Sequence, residues 1–266
     1  HVVELPALAA SPQTNVAGGI PADELIGMTE STDPIPGEHV VAAIPMDQRD
    51  DDGPTPAAPL AIGTRAGVVK RWNREAPTTM DSWSVMDLKD GDSVLFAADA
   101  ADEDRLVFIA SDSSLLTFDA GNVRPQGRTA GGMAGIRLAE GCTAITFNVV
   151  PAGKIAWTYE EGDNGMFSAS GAVVLTVAGD KDALPGTENG AAKVTPLEMY
   201  PTKGRGTGGV RSQRFLKGQN TLIFARVGMY PLHASTEGGS PVELPKPDMR
   251  RDASGVDLAA PVAFCG

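Results

Sequence analysis

Short apolar runs separated by turn residues make up most of this chain. The runs are rich in Val, Ile, Leu, Thr and Phe, and 31 glycines and 20 prolines punctuate the 266 residues. No window of 12 or more residues places its apolar positions at helical spacing. Runs of β-branched and aromatic residues bounded by glycine and proline are typical of strands. The pattern therefore predicts an all-β protein.

Two kinds of hairpin alternate along the chain. The first kind begins at Leu60 (LAIGTRAGVVKRW), Leu106 (LVFIASDSSLLTF) and Val173 (VVLTVAGDKDALPGTENGAAKVTPL). The second kind has a leucine, a polar turn and an apolar strand six positions further on, and it begins at Leu88 (LKDGDSVLFAA), Leu138 (LAEGCTAITFNVV) and Leu216 (LKGQNTLIFARV). These leucines lie 50 and 78 residues apart, and loops at 151–171 and 179–190 account for the longer interval. The repeating unit is therefore near 50 residues.

Repetition of such units predicts a propeller-like disc. We count five four-stranded blades, with six as the alternative, at approximate positions 21–57, 58–104, 105–150, 151–228 and 229–266. Residues 1–20 are interpreted as a linker or as an N-terminal closing strand, and 21–266 as a single domain. The sequence VELP occurs at 3–6 and again at 242–245. This recurrence predicts that the two ends of the chain occupy equivalent places and pair to close the ring.

Charge is distributed unevenly over the chain. The formal net charge is −12, but residues 1–60 alone contain ten acids against one base, Arg49. Residues 199–236 contain no acid and hold six bases, and residues 120–139 contain no acid and hold three arginines. The overall acidity therefore leaves room for local basic surfaces, which are the electrostatic feature of a nucleic-acid partner.

Cysteine usage and hydropathy bear on the compartment. Cys142 and Cys265 stand far apart without a CxxC pair, so the sequence indicates neither a disulfide framework nor a zinc site. No stretch reaches the roughly 18 to 20 apolar residues of a membrane helix, and no signal-peptide order is present at the N-terminus. We expect a cytoplasmic protein without a membrane partner. Since the first residue is His1, we also expect a fragment of a longer chain.

Two glycine-rich loops each carry an arginine ahead of an apolar run. They are QGRTAGGMAGIRL at 126–138, with Arg128, and KGRGTGGVRSQRFL at 203–216, with Arg205. Glycine allows a partner's backbone to approach closely, and the planar guanidinium matches the geometry of a phosphate. Recurrence of the loop implies several copies of one surface, and this combination indicates a nucleic-acid partner.

At this level of detail the sequence resembles a known family. The order TxxGxxKR at 64–71, an apolar strand pair, and QGRTAGGMAGIRL with an acidic turn after it is similar to the repeating blade of the C-terminal domain of bacterial type IIA topoisomerase A subunits. That family comprises the A subunits of gyrase and of topoisomerase IV. The resemblance extends from about residue 22 to the end of the chain. It implies a β-pinwheel, a propeller-like disc whose outer edge binds and bends duplex DNA.

The resemblance also implies where the chemistry of the parent enzyme lies. In that family the tyrosine nucleophile and its neighbouring arginine belong to a different domain, and Tyr159, Tyr200 and Tyr230 do not match their setting. We therefore expect no catalytic residue, metal or cofactor in this chain, with ATP and magnesium used elsewhere in the holoenzyme. The implied partners are double-stranded DNA, the A-subunit dimer and the ATPase B subunit, in the bacterial nucleoid.

The gyrase branch of the family carries a box of the form Gln, Arg or Lys, Arg, Gly, Gly, Arg or Lys, Gly. The segment QGRTAGG at 126–132 lacks the second-position base and has Thr129 and Ala130 at the glycine pair. The segment KGRGTGG at 203–209 begins with Lys203 and interrupts its glycines with Thr207. These departures favour the topoisomerase IV-like type of A subunit; the alternative is a gyrase A subunit with a divergent box.

The sequence supplies candidates for phosphate contacts. We expect the loop arginines to contact DNA first and, because side chains alternate between the two faces of a strand, only one of Lys70 and Arg71 to point outward. The candidate DNA-binding residues are Arg65, Lys70, Arg71, Arg124, Arg128, Arg137, Lys203, Arg205, Arg211, Arg214, Lys217 and Arg226. The degenerate box loops contribute Gln126, Gly127, Gly131, Gly132, Gly204, Gly206, Gly208 and Gly209.

Other functional classes fit the sequence less well. The segment GRGTGG at 204–209 matches GxGxxG, but no strand-to-helix turn surrounds it. A propeller hydrolase would need convergent histidines, and His1, His39 and His233 are scattered. A protein-binding propeller with an acidic N-terminal tail stays open as the rival interpretation, and in it the arginines cap loops or pair with acids. The indoles of Trp72, Trp83 and Trp157 are interpreted as packing groups.

Overall fold

A computed structural model describes residues 39–46, 48–50, 53–55, 57–77, 79–80, 82–161, 167–184 and 188–266 of the chain. The proposed linker at 1–20, the first VELP sequence and most of the first predicted blade lie outside the described residues. The remaining four predicted units are described almost completely.

The structure confirms the all-β prediction. Twenty short strands and three single-turn 3-10 helices account for the regular structure of the described residues, which contain no α-helix. The 3-10 helices are Ala120–Asn122, Ala152–Lys154 and Leu197–Met199. The strands are β1 (Gln48–Asp50), β2 (Gly53–Thr55), β3 (Leu60–Thr64), β4 (Val68–Trp72), β5 (Val94–Asp99), β6 (Arg105–Ala110), β7 (Ser114–Asp119), β8 (Pro125–Gln126), β9 (Met133–Ala134), β10 (Ala144–Val150), β11 (Thr158–Glu161), β12 (Phe167–Ser170), β13 (Ala172–Gly179), β14 (Ala191–Pro196), β15 (Val210–Arg211), β16 (Thr221–Met229), β17 (Ala234–Ser235), β18 (Pro241–Val242), β19 (Val256–Asp257) and β20 (Phe264–Cys265).

Three sheets repeat one topology. Their strand orders are β5–β3–β4–β8 with β9 also on β4, β10–β6–β7–β15, and β16–β13–β14–β19. The central antiparallel pairs, β3–β4, β6–β7 and β13–β14, are the three predicted first hairpins. The strands of the second hairpins, β5, β10 and β16, pair with the first strand of the central hairpin, which is β3, β6 and β13 respectively. The repeat inferred from sequence is therefore a repeat of structure.

The outermost strand of each sheet comes from the next unit along the chain. Strands β8 and β9 follow the hairpin of the second sheet in sequence but pair with β4 of the first. In the same way β15 joins β7, and β19 joins β14. The predicted boundaries at 104, 150 and 228 therefore divide the chain by sequence unit and not by sheet, because local apolar patterns do not reveal these long-range pairings.

A fourth, smaller sheet has the order β18–β17–β20. Its outer strand β20 consists of the last described residues, and His233 and Gly266 exchange two backbone hydrogen bonds of 2.9 and 3.1 Å. Two further hairpins, β1–β2 and β11–β12, stand apart from these sheets. The second VELP sequence begins in β18, whereas its proposed partner at 3–6 lies outside the described residues.

The core lies between successive sheets. Along β6, Phe108 faces the first sheet and its ring centroid is 4.7 Å from that of Phe147, whereas Ile109 faces the third sheet and joins the cluster of Val174. Central strands such as β6 and β13 thus bury both faces, which is the packing of radially stacked blades. Gly63 is required at this contact, since a Cβ there would lie 2.1 Å from the Phe147 ring.

Candidate nucleic-acid interface

Three loops attach to the three repeated sheets in the same way. Each loop leaves its sheet beside the fourth residue of β4, β7 or β14 and returns beside the second residue of the same strand. In the first sheet Pro125 pairs with Arg71 and Met133 with Val69. We call the segments 125–134, 202–211 and 248–257 the rim loops.

The second and third rim loops repeat these attachments. In the second sheet Thr202 forms a parallel bridge with Thr117, and Val210 pairs with Leu115. In the third sheet the Asp248 amide donates to the Val194 carbonyl over 2.8 Å, and Val256 pairs with Ala192. The second rim loop therefore matches the first residue by residue. In the second sheet it is the Lys203 amide, one residue after Thr202, that donates to the Thr117 carbonyl, so the third loop contains one additional residue and is aligned with the other two by counting back from its return pairing.

A glycine closes every rim loop because the backbone there passes very close to the sheet. A Cβ at Gly132 would lie 2.8 Å from the Val69 carbonyl oxygen, and one at Gly209 would lie 2.4 Å from that of Leu115. The equivalent residue of the third loop, Gly255, shows 2.6 Å to a carbonyl oxygen. Gly132 and Gly209 also have φ of 82° and 71°, a region that favours glycine. These glycines therefore fix the docking of each loop.

An arginine stands five residues before the return pairing of each rim loop. Arg128 and Arg205 are the two that the sequence singles out, and Arg251 is the equivalent residue of the third loop. All three are exposed. Arg251 was not among the candidates from the sequence. The segments RTAGG, RGTGG and RDASG nevertheless share one pattern, in which an arginine is followed by two residues, then Gly or Ser, then Gly. Three successive sheets thus present a guanidinium at the same place.

The first two rim loops are in direct contact. The Gly206 amide donates to the Gly135 carbonyl over 2.5 Å, and the Arg137 amide donates to the Thr207 carbonyl over 2.9 Å. The Arg205 guanidinium donates to the carbonyls of Asn122 (3.0 Å) and Ala134 (3.3 Å). The side chain of Arg205 is therefore oriented by backbone oxygens at the end of the first loop, and the two loops lie on the same side of the molecule.

Lys70 and Arg71 do not lie on the surface, so the expectation that one of them points outward is wrong. Their exposed fractions are 0% and 1%. The Arg71 guanidinium donates to the carbonyls of Ala100, Ala120 and Val123 over 2.9 to 3.2 Å. The alternation rule failed because β4 has no solvent face: the second sheet covers one side, apolar residues of segments 42–46 and 83–86 cover the other, and the first rim loop covers its edge.

The Lys70 amine is enclosed by backbone oxygens. It donates to the carbonyls of Val85 (2.7 Å), Arg128 (2.9 Å) and Ala130 (2.7 Å). Burial lowers the pKa of this amine, and the nearby Asp87 acts in the opposite direction with a smaller effect. Lys70 therefore contacts the first rim loop from inside the protein and is unable to meet a phosphate.

Nine of the remaining ten basic candidates are exposed, and Arg226 is half-buried in β16. The four ion pairs found in the described part of the chain are Arg71–Asp102, Arg74–Asp99, Arg105–Asp119 and Arg250–Asp248. No exposed candidate belongs to these pairs. The exposed candidates are Arg65, Arg124, Arg128, Arg137, Lys203, Arg205, Arg211, Arg214 and Lys217.

Some of the candidate box residues lie against the sheet, and others have open space around them. Gln126 lies in β8 beside Trp72, and Gly131 lies close to the sheet, since a Cβ there would be 3.1 Å from the Asp87 carbonyl oxygen. Gly127 and Gly204 have open space around the position of a Cβ. The other four glycines are Gly132 and Gly209, described above, Gly206, which has a φ of 74°, and Gly208, which lies against Arg137.

The tryptophans pack as expected from the sequence. Trp72 is 3% exposed and makes an edge contact with Trp83, with ring centroids 6.3 Å apart. Trp157 makes a similar contact with Tyr230 at 5.3 Å. Among the described residues we find no group of His, Cys, Asp and Glu that would hold a metal ion. None of the helices described is long and apolar enough to cross a membrane.

Comparison with known proteins connects this geometry to a family. A family model described as the DNA gyrase C-terminal domain, beta-propeller, matches residues 104–145 and 186–227. The DNA gyrase A subunit of Aeromonas salmonicida is 38% identical over 157 residues, which are 58% of this chain and 14% of that protein. The DNA gyrase A subunit of Mycobacterium tuberculosis H37Rv is 27% identical over 215 residues, 77% of this chain and 22% of that protein. The chain thus spans a minor part of the length of these relatives.

Solved structures share the fold. The C-terminal domain of DNA topoisomerase IV superposes with a TM-score of 0.59 at 17% identity, covering 79% of this chain and 61% of that one. The DNA gyrase A C-terminal domain superposes with a TM-score of 0.56 at 17% identity, covering 79% and 66%. The repeated sheets with exchanged outer strands are thus those of a β-pinwheel. The chain is thus similar in sequence to DNA gyrase A subunits over part of its length, and it shares the fold of the C-terminal domains of type IIA DNA topoisomerase A subunits.

Proposed function

We propose that this chain binds duplex DNA without sequence preference along the side formed by its three rim loops. The observation that carries the proposal is the equivalence of Arg128, Arg205 and Arg251, one on each of three successive sheets. A row of guanidinium groups at a constant structural interval matches a partner whose charges also repeat at a constant interval. Duplex DNA is such a partner, with one phosphate charge per about 1.7 Å of axis.

The electrostatic state of the exposed bases supports phosphate binding. Arg128, Arg205, Arg251 and the other exposed candidates belong to none of the ion pairs in the described residues, so their charge is available to an external anion, whereas Arg250 beside Arg251 is paired with Asp248. Neutralising phosphates releases counterions, and this release supplies most of the affinity that does not depend on sequence. The rival interpretation is a protein-binding propeller whose arginines cap loops or pair with acids. The lack of ion pairs among the exposed candidates disfavours the pairing, whereas Arg205 does bind loop carbonyls.

We further propose that the rim bends the DNA it binds. Smooth bending of a 20 to 30 bp segment by 40 to 90° costs on the order of 1 to 6 kcal/mol. Contacts spread over three stacked sheets reach phosphates that a straight duplex would hold away from the protein. A curved row of contacts offsets the bending cost, whereas one isolated basic patch does not.

The proposed role in the parent enzyme is to steer a DNA segment toward a strand-passage site located outside this chain. In that enzyme the A-subunit dimer would supply the tyrosine nucleophile, the B subunit would hydrolyse ATP, and magnesium would act in those parts. Supporting this division, the described tyrosines lie in unrelated places: Tyr200 is buried, Tyr159 is exposed in β11 and Tyr230 packs on Trp157.

Two versions of the parent enzyme differ in how far DNA would follow the rim. The departures of both glycine-rich loops from the gyrase box favour a topoisomerase IV-like protein that bends DNA without wrapping it fully. The named sequence relatives, which are DNA gyrase A subunits, favour the alternative of a gyrase with a divergent box. Ligation of a nicked circular DNA in the presence of the domain separates the two versions. Wrapping adds positive writhe to the sealed circle, whereas bending alone does not.

Salt-dependent DNA binding tests the main proposal. We expect a fluorescent duplex of about 40 bp to bind the wild type with log K falling against log salt at a slope near −5 if about six cations engage. The triple variant Arg128→Gln, Arg205→Gln, Arg251→Gln should lower the magnitude of the slope by about 3. A matched control of equal charge change is Lys89→Gln, Lys154→Gln, Lys181→Gln, three exposed lysines outside the rim loops.

The outcome of this comparison decides the proposal. The control triple should keep most of the wild-type slope, since its lysines lie away from the three loops. Absence of salt-sensitive binding by the wild type at low ionic strength would end the DNA interpretation. Equal losses in the two triple variants would show that only net charge matters and would remove the rim loops from the proposal.

A further inference from the structure

Two buried lysines occupy the same position in two different sheets. Lys70 in β4 and Lys193 in β14 each stand three residues after a turn glycine with positive φ, Gly67 at 78° and Gly190 at 74°. Their exposed fractions are 0% and 3%. A lysine buried to this extent is rare unless its amine has partners, so the question is what these amines hold.

Each amine donates to the backbone carbonyl of the rim arginine of its own sheet. Lys70 Nζ lies 2.9 Å from the Arg128 carbonyl oxygen, and Lys193 Nζ lies 3.0 Å from that of Arg251. The remaining donors reach other backbone oxygens or a hydroxyl: Val85 and Ala130 for Lys70, and Ser212 and Thr195 for Lys193. Bonds from a charged donor are stronger than neutral ones, so each amine pins the loop at the arginine itself.

The middle sheet lacks this device and holds its loop in another way. The equivalent residue there is Leu116, three residues after Ser113, which has a φ of 73°. In its rim loop the Arg205 side chain itself donates to Asn122 and Ala134, and the Gly206 amide bonds to Gly135. Two rim loops are therefore held by a buried lysine. The second rim loop is held by hydrogen bonds of its own residues and serves as a comparison within the same chain.

We propose that Lys70 and Lys193 are positioning residues, which set the backbone of the first and third rim loops so that Arg128 and Arg251 project from the surface. The DNA-binding consequence rests on the proposed function above, whereas the effect on loop geometry does not. The amines act from inside the protein and touch no ligand. Their role is to limit the conformations that each arginine adopts before DNA arrives, which lowers the ordering cost of binding.

Burial makes the contact of Lys193 with the third rim loop sensitive to pH. Asp248, Asp252 and Arg250 of the third rim loop act on Lys193, and the phenol of Tyr200 lies nearby on the shared Ser212 carbonyl. Burial is the largest effect and lowers the pKa of Lys193 to about 8. Because the pKa is lower while the amine is buried, loss of the proton favours the buried amine, so opening of the third rim loop that exposes Lys193 becomes less favourable as pH rises above this value.

Limited trypsin digestion reads loop position directly, because the enzyme cleaves after the rim arginines. We expect Lys70→Met to accelerate cleavage after Arg128 about fivefold, with cleavage after Arg205 unchanged. Lys193→Met should accelerate cleavage after Arg250 and Arg251 by a similar factor and leave Arg128 unaffected. The matched control, Leu116→Met, should change none of the three sites. Equal acceleration at all sites, or at none, would overturn the proposal.

A second measurement keeps the test decisive if a methionine variant fails to fold. In the wild type, cleavage after Arg250 and Arg251, divided by cleavage after Arg205, should fall severalfold between pH 7 and pH 9. Taking this ratio cancels the pH dependence of trypsin itself. A ratio that stays flat across this range would overturn the role of Lys193.

DNA binding separates failure of this inference from failure of the proposed function. We expect Lys70→Met and Lys193→Met to bind a 40 bp duplex about three- to tenfold more weakly than the wild type, with Leu116→Met as control. If the wild type binds DNA and both variants bind equally well, the positioning role is wrong and the rim proposal stands. If the wild type binds no DNA, the proposed function fails, and the digestion experiment alone decides the positioning role.

Discussion

The guanidinium of Arg71 lies 2.7 Å from the carboxylate of Asp102, and the two side chains differ completely in exposure, at 1% and 78%. The same guanidinium binds three backbone carbonyls, one from the end of the first sheet and two from the turn after β7. Arg71 therefore joins two consecutive sheets from inside. Asp102 adds a charge at the surface end of this contact, and its own solvation is largely kept.

We expect Arg71→Met to lower the free energy of unfolding by about 3 kcal/mol, because three buried carbonyls would lose their donor. Asp102→Asn should cost less than about 1 kcal/mol, since an exposed partner contributes little. Urea denaturation of the two variants and the wild type measures both values. DNA affinity of folded Arg71→Met should stay at the wild-type level. An Asp102→Asn variant as unstable as Arg71→Met would contradict this assignment of roles.

Gly209 and Gly127 are a matched pair of positions for testing backbone strain in the rim loops. Gly209 has a φ of 71° and a Cβ there would lie 2.4 Å from the Leu115 carbonyl oxygen, whereas Gly127 has open space around the same position. Gly209→Ala should destabilise by at least about 2 kcal/mol, from the left-handed conformation and the backbone clash together. Gly127→Ala should be neutral or stabilise by up to about 1 kcal/mol. Thermal unfolding of both variants provides the comparison, and equal effects would refute it.

The buried amine of Lys193 gives stability a pH dependence of defined sign. Its pKa is near its usual 10.5 in the unfolded chain and about 8 in the folded protein. Between these values the unfolded state binds more protons, so the free energy of unfolding rises with pH by up to about 1.4 kcal/mol per unit. Below about pH 7 the effect is flat, and the cost of burying the charge is fully present.

Comparison with Lys193→Met isolates this effect, because the other titrating groups are common to both proteins. We expect the stability of the wild type relative to the variant to increase from pH 8 to pH 10.5 and to be constant from pH 6 to pH 7. Urea denaturation at half-unit steps measures the difference. Parallel curves over the whole range would mean that Lys193 titrates alike in the folded and unfolded states.

Local patterns in the sequence predicted the hairpins because their pairing is local. The apolar strands expected six residues after Leu88, Leu138 and Leu216 are β5, β10 and β16. The exchanged outer strands were not predicted, since the pairing of Val256 with Ala192 joins residues 64 positions apart with no pattern to mark it. The same gap explains Lys70 and Arg71: a strand whose faces are covered by the second sheet and by segments 42–46 and 83–86 looks, in sequence alone, like one with a solvent face.

The candidate site was predicted where glycine marked it and missed where glycine was sparse. Arg128 and Arg205 stand in loops with several glycines, whereas the third rim loop reads DMRRDASGVD and keeps only the closing Gly255. The closing glycine is the one that the backbone contact requires, and the others sit where a Cβ has more room. Glycine content thus identified two loops, while the attachment geometry identifies all three.

Two adjacent arginines in the third rim loop test whether position or charge governs DNA binding. The Arg250 guanidinium makes two hydrogen bonds to the Asp248 carboxylate, at 2.9 and 3.1 Å, and these bonds raise the pKa of Arg250 and lower that of Asp248. Arg251 is equivalent to Arg128 and belongs to no ion pair of the described residues.

Because Asp248 already neutralises Arg250, we expect Arg251→Gln to weaken binding of a 40 bp duplex about three- to tenfold and to lower the magnitude of the salt slope by about 1. Arg250→Gln should have a smaller effect on both quantities, although it removes the same formal charge one residue away. Fluorescence anisotropy at 50, 100 and 200 mM salt measures affinity and slope together. A larger loss for Arg250→Gln would mean that DNA does not follow the row of equivalent arginines, because the residue outside that row would then be the one in contact with phosphate.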